Sequence, residues 1–76
     1  MSMGADFIEL DARGLEPPQP LIRILEATTT LPEGTTLCAR TRWRPALLYA
    51  ELEQRGFTGE SQEQPDGSYI THIRRS

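Results

Sequence analysis

Residues 10–25 read LDARGLEPPQPLIRIL, and this stretch decides the fold. A turn, residues 11–14, ends in Gly14, a position that suits a positive φ. Three prolines then fall within four positions, Pro17, Pro18 and Pro20. Proline is tolerated at the first turn of a helix, where backbone N–H groups have no intrahelical partner. A helix is therefore expected to start at about Pro18. Leu21, Ile24, Leu25 and Thr28 follow at helical spacing and form its core-facing stripe. The pattern is that of a loop presenting something at a helix start, yet no nucleophile stands at its tip.

Working outward, residues 7–10 (FIEL) alternate as a strand does, with Ile8 and Leu10 on one face and Phe7 and Glu9 on the other. After the first helix the β-branched run 28–30 is poor helical material, and Leu31-Pro32-Glu33-Gly34 ends the element. A second strand is expected over residues 35–41, with Leu37 and Ala39 inward and Cys38 and Arg40 outward. Pro45 opens a second helix whose core contacts are Leu48 and Leu52, flanked by Leu47 and Tyr49. Gly56 is placed as its C-terminal cap, before apolar Phe57. Residues 57–63 read as a polar edge strand. Pro65-Asp66-Gly67 is a hairpin turn. Residues 68–74 form the last strand, with Tyr69, Thr71 and Ile73 on one face and Ile70, His72 and Arg74 on the other.

The order is βαβαββ. The opening βαβ unit makes the first two strands parallel, joined by a right-handed crossover. The expected class is an α+β two-layer sandwich, a four-stranded mixed sheet with both helices on one face and the other face partly open. Residues 1–5 read as a flexible tail and residues 6–76 as a single domain.

Size and composition bound the function. A chain of 76 residues is one domain and buries roughly 60% of its unfolded surface. It has no run of ~20 apolar residues to cross a membrane and no basic-then-apolar leader. The single cysteine, Cys38, excludes an internal disulfide. With His72 the only histidine and no Cys/His cluster, neither a metal site nor a cofactor is expected. The cytoplasm is the expected compartment. The net charge is −3 and the pI about 5.0, so nucleic acid is an unlikely partner. All eight basic residues are arginines. Arg40, Arg42 and Arg44 either solvate an exposed strand end or form a small anion-binding cluster, since guanidinium matches carboxylate and phosphate geometry.

The stretch LDARGLEPPQPLIRIL with LPEGTTL after it resembles the TusA/SirA-like small sulfur-carrier superfamily. That superfamily opens Leu-Asp-x-x-Gly-Leu-x-Cys-Pro-x-Pro, then a helix, then Leu-x-x-Gly before the second strand. Leu10, Asp11, Gly14, Leu15, Pro18, Pro20, Leu31 and Gly34 match, and ELEQRGF and YITHIRR also fit. The resemblance covers residues 7 to 75. It implies the same βαβαββ sandwich with strand order 1-2-4-3 and the fourth strand antiparallel to the rest. It also implies a sulfur-carrying cysteine at position 17, where this chain has Pro17. Without that nucleophile, persulfide relay by the usual route is excluded. Glu16-Pro17-Pro18 resembles a cysteine-lacking branch whose function is not established, and a shared fold does not license a shared activity.

The candidate residues each carry a plain and a sharper reading. Cys38 is a small strand residue or a substitute sulfur carrier. His72 is a surface residue on the outward face of the last strand. Asp11 and Glu16 are turn and helix-start carboxylates, or an acid–base pair. Trp43 either caps the small core or is an exposed anchor for a partner. Parallel first and second strands bring the loop 16–19, the loop 42–44 and both helix N-termini to one sheet edge, where ligands of open α/β sheets bind. The expected surface comprises Glu16, Pro17, Gln19, Arg40, Arg42, Trp43 and Arg44, and takes a small anion or an acidic partner, with Glu16 placing a negative charge at its rim. The leading function is a non-catalytic protein-binding or accessory module, linked through the resemblance to sulfur, redox or respiratory metabolism. The alternatives are a sulfur relay using Cys38, and nucleic-acid binding, because the fold also resembles a translation-factor C-terminal domain.

Overall fold

The computed structural model describes residues 6–76, so the tail expected over residues 1–5 lies outside the described residues. Six elements follow in the expected order: β1 (Asp6–Asp11), α1 (Gln19–Thr28), β2 (Thr35–Thr41), α2 (Ala46–Gln54), β3 (Phe57–Glu63) and β4 (Tyr69–Arg75). The sheet order is β1-β2-β4-β3. β1 pairs parallel with β2, while β4 runs antiparallel to both β2 and β3. This is the mixed sheet expected from the sequence, with β1 and β3 at its edges.

Alternation along the strands decides what is buried. Leu37 and Ala39 on β2 and Thr71 and Ile73 on β4 point inward and are fully buried. Ile24 of α1 and Leu48 and Leu52 of α2 close over them, with Leu31 and Phe57 at the ends of one cluster. Both helices therefore lie on the same face. Thr71 is buried without cost because its hydroxyl bonds that of Ser61 at 2.7 Å, and Ser61 in turn accepts from the Tyr49 hydroxyl of α2. Arg75 seals the lower end, donating to the Leu31 carbonyl at 3.0 Å with its guanidinium 5.0 Å from the Phe57 ring centre.

The turns follow their chemistry, with one correction. Gly34, Gly56 and Gly67 take positive φ of 86°, 82° and 88°, at the turn before β2, the end of α2 and the β3–β4 hairpin. In that hairpin Asp66 Oδ1 accepts from the Ser68 N–H and hydroxyl. Gly14 does not adopt positive φ. Its turn is held instead by Asp11 Oδ1, which accepts the Arg13 N–H at 3.1 Å, and by the Leu15 N–H donating to the Ala12 carbonyl. A side chain that imitates a turn backbone removes the need for left-handed glycine.

Candidate functional site

The parallel β1–β2 pair delivers two loops to the same sheet edge. β1 is extended past its end by the Ala12 N–H, which donates to the Arg40 carbonyl at 2.8 Å. The chain then turns at Asp11 and Arg13. The Arg13 guanidinium donates to both carboxylate oxygens of Asp11, at 3.0 and 2.8 Å, and its side chain lies 3.7 Å from Asp66 of the β3–β4 hairpin. These bonds, with the Arg13 N–H, hold the Asp11 carboxyl down at about 2. Asp11 is thus a structural anion, which removes it from the acid–base reading.

Beyond this anchor the proline loop folds back, with the Gln19 N–H on the Glu16 carbonyl at 2.8 Å. After β2, buried Thr41 donates its hydroxyl to the Trp43 carbonyl at 2.7 Å. That bond fixes the start of the second loop, and Pro45 and the Ala46 N–H, bonded to the Arg44 carbonyl, lead it into α2.

Between the two loops lies a groove of about 270 Å³. Pro17, Pro20 and Leu21 form one wall, and Trp43 and Leu47 form the other. Trp43 is 57% exposed and Leu47 77%. The reading of Trp43 as a cap on the core is therefore overturned. The core is closed by Leu48 and Leu52, and Trp43, held by its backbone rather than its ring, lies outside it. Two large apolar side chains are thus left uncovered on the same wall of the groove.

Arg42 and Arg44 also line this groove, and no carboxylate does. Among the described residues neither arginine has an ion-pair partner. Arg44 lies 6.0 Å from the Tyr49 ring centre, a cation–π distance. Both helices that start here lack a capping side chain and an acidic residue in the first turn. The backbone nevertheless offers α1 little for anion capture: residues 17, 18 and 20 are prolines without N–H groups, and the Gln19 N–H is taken.

The structure brings together Pro17, Arg42, Trp43 and Arg44 and separates them from the other expected residues. Glu16 and Gln19 are exposed beside the groove but do not line it. Arg40 is on the opposite face of the sheet, in a shallow depression with Glu9, Asp11, Arg13, Cys38 and Ile70. Strand alternation explains the split: Arg40 is inside β2 and points away from the helices, whereas Arg42 and Arg44 follow its last residue and are free of the pleat. Leu47 and Leu21 are the wall residues that the sequence reading placed at the flank or in the core. The signal for Leu47 was available, since it precedes core residue Leu48 and so cannot share its helix face.

The open face carries a second juxtaposition. Glu9, Cys38, His72 and Glu60 occupy one row across all four strands. No hydrogen bond joins Cys38 to His72. Partial burial and the neighbouring Glu9 push the Cys38 thiol up from its ordinary value, the direction opposite to that of an activated thiol. Among the described residues no group of three or more His, Cys, Asp or Glu side chains is placed to hold a metal ion. No described helix is long and apolar enough to cross a membrane.

No curated protein matches the chain. Residues 9–75 match the family model described as "Uncharacterized conserved protein (DUF2249)", which spans both loops of the groove, the end of β1 and all of the later elements, and the chain belongs to that family.

Proposed function

We propose that this is a TusA-like domain that has lost its sulfur-carrying cysteine and acts as a non-catalytic protein-binding module, serving cytoplasmic sulfur, redox or respiratory metabolism. One observation carries the reading. Pro17, at the position where the similar carriers hold their nucleophile, lines an apolar groove whose other wall is uncovered Trp43 and Leu47. A proline there supplies no nucleophile and no donor, but it supplies rigid apolar surface. Exposed Trp is the residue type most enriched at interface hot spots.

Sulfur carriage at Cys38 is the competing reading, favoured by the His72 neighbour in register and opposed by the raised thiol pKa. One pair of experiments separates the two. A photo-crosslinking amino acid at position 47, compared with one at exposed Gln62 on the open face, is expected to trap a defined partner in cells at position 47 alone. Purified protein treated with a persulfide donor is expected to keep its intact mass, as does Cys38→Ser. Equal crosslinking at both positions removes the groove reading. Uptake of sulfur by the native chain but not by Cys38→Ser replaces the module with a carrier.

A further inference from the structure

We infer that the occupant of the groove is an acidic segment of a partner protein carrying one bulky apolar side chain, which seats between the proline wall and Trp43 while flanking carboxylates meet Arg42 and Arg44. The inference rests on the docking reading above and adds the chemistry of the partner. Three observations select it.

The first is size. At about 270 Å³ the groove falls just below the ~300–1,000 Å³ of small-molecule sites, so it holds an anchoring side chain better than a cofactor. The second is charge. The chain is net −3, yet among the described residues the groove is lined by two arginines without ion-pair partners and by no carboxylate. Local sign opposite to global sign is complementarity directed at one place. The third is the lack of backbone donors along the proline loop. A free phosphate draws on N–H groups at a helix start, and at the start of α1 residues 17–20 leave none. Guanidinium groups at the rim of an apolar floor instead suit carboxylates displayed beside an apolar anchor. Glu16 sits exposed next to Pro17 and repels an acidic segment on that side, so the carboxylates are placed toward α2 and the loop after β2.

The same chain offers a rival occupant. β1 is an acidic edge strand, DFIELD, with Phe7 61% and Ile8 45% exposed, so a second copy presents the same chemistry. The experiment separates the two. Trp43 is the only tryptophan, and its fluorescence reports directly on the groove.

Three short synthetic peptides with one central phenylalanine, flanked by glutamates, serines or lysines, are titrated into the full chain. Emission and the amide signals of residues 21, 41–44 and 46–48 are followed. The glutamate peptide is expected to bind about tenfold tighter than the serine peptide, as two partly exposed ion pairs allow, and the lysine peptide most weakly. The preference is expected to shrink as salt is raised and to vanish in Arg42→Gln/Arg44→Gln, with circular dichroism unchanged. Equal binding of the glutamate and serine peptides at low salt overturns the acidic partner and leaves the docking reading standing. Failure of all three to saturate at millimolar concentration removes the docking reading as well. Sedimentation of the chain alone is expected to show a monomer. Self-association abolished both by Phe7→Glu and by Leu47→Glu in the groove wall assigns the groove to a second copy and overturns the inference.

Discussion

Gly59→Ala would place a Cβ 2.8 Å from Leu52 Cδ1, 3.4 Å from Thr71 Cγ2 and 3.7 Å from Ile73 Cγ1. The bare backbone of β3 at Gly59 is thus where α2 seats on the sheet. The nearest atom ends a flexible side chain, but Leu52, Thr71 and Ile73 are each 0% exposed, so the methyl has nowhere to push it without displacing the core. Overpacking of this kind costs about 1–3 kcal/mol. Replacing glycine by alanine returns roughly 0.4–1 kcal/mol by narrowing the unfolded ensemble. The net expectation is a loss of about 0.5–2 kcal/mol. At a urea slope near ~1 kcal/mol/M for a domain this small, the midpoint falls by about 0.5–2 M.

Leu52→Val removes the δ-methyl that the new Cβ meets, at a cost of about 1 kcal/mol. In that background Gly59→Ala is expected to be neutral or to stabilise by up to ~1 kcal/mol. The double-mutant cycle thus closes with a coupling of about 1–2 kcal/mol of favourable sign. Chemical denaturation of the four proteins, followed by circular dichroism, measures it. If Gly59→Ala destabilises equally in both backgrounds, the contact with Leu52 is not what demands glycine, and the account of α2 seating fails. The consequence reaches function, because Leu47 and Leu48 of the same helix line the groove.

Three further outcomes follow from named contacts. The Asp11 carboxyl is expected to titrate in NMR at about 2, below its ordinary 3.8; because the folded value is the lower, its contribution is present above about pH 4 and lost as pH falls toward 2, and Asp11→Asn removes that acid limb. Cys38 is expected to react with a disulfide reagent at pH 8 more slowly than a free cysteine, since burial and Glu9 raise its pKa; faster reaction refutes this. Arg75→Ala forfeits the bond to the Leu31 carbonyl and the contact over Phe57, and is expected to cost about 1–2 kcal/mol of stability, measured by urea denaturation.

The fold was legible because its signals are local and agree with one another: two proline-opened helices, alternating strands, and glycine at the turns after Leu31, Gln54 and Pro65. The one local misreading, Gly14, came from treating glycine as the only route through a turn where Asp11 supplies the bonds. The site was less legible. Which arginines meet depends on where a strand stops: Thr41 is the last residue of β2, so Arg40 obeys the pleat and Arg42 does not. Likewise the Cys38–His72 neighbourhood arises from a register between strands 34 positions apart, which no spacing in the sequence encodes.

Position 17 offers the last test, because it asks whether the groove lost only its nucleophile. Pro17→Cys puts a thiol at the lip of the groove, two residues before α1, whose first turn carries no acidic residue, with Arg42 and Arg44 lining the same space. Helix dipole and guanidinium both favour a thiolate, while Glu16 alongside opposes it. Three prolines remove backbone donors from the dipole's end in the native chain, and the substitution restores one of them, the N–H of residue 17. In the Cys38→Ser background the introduced thiol is therefore expected to have a pKa below the ~8.5 of a free cysteine and to take up sulfur from a persulfide donor, seen as a mass increase. An ordinary pKa with no uptake means that the electrostatics of a carrier have gone along with the nucleophile, leaving a surface shaped for docking alone.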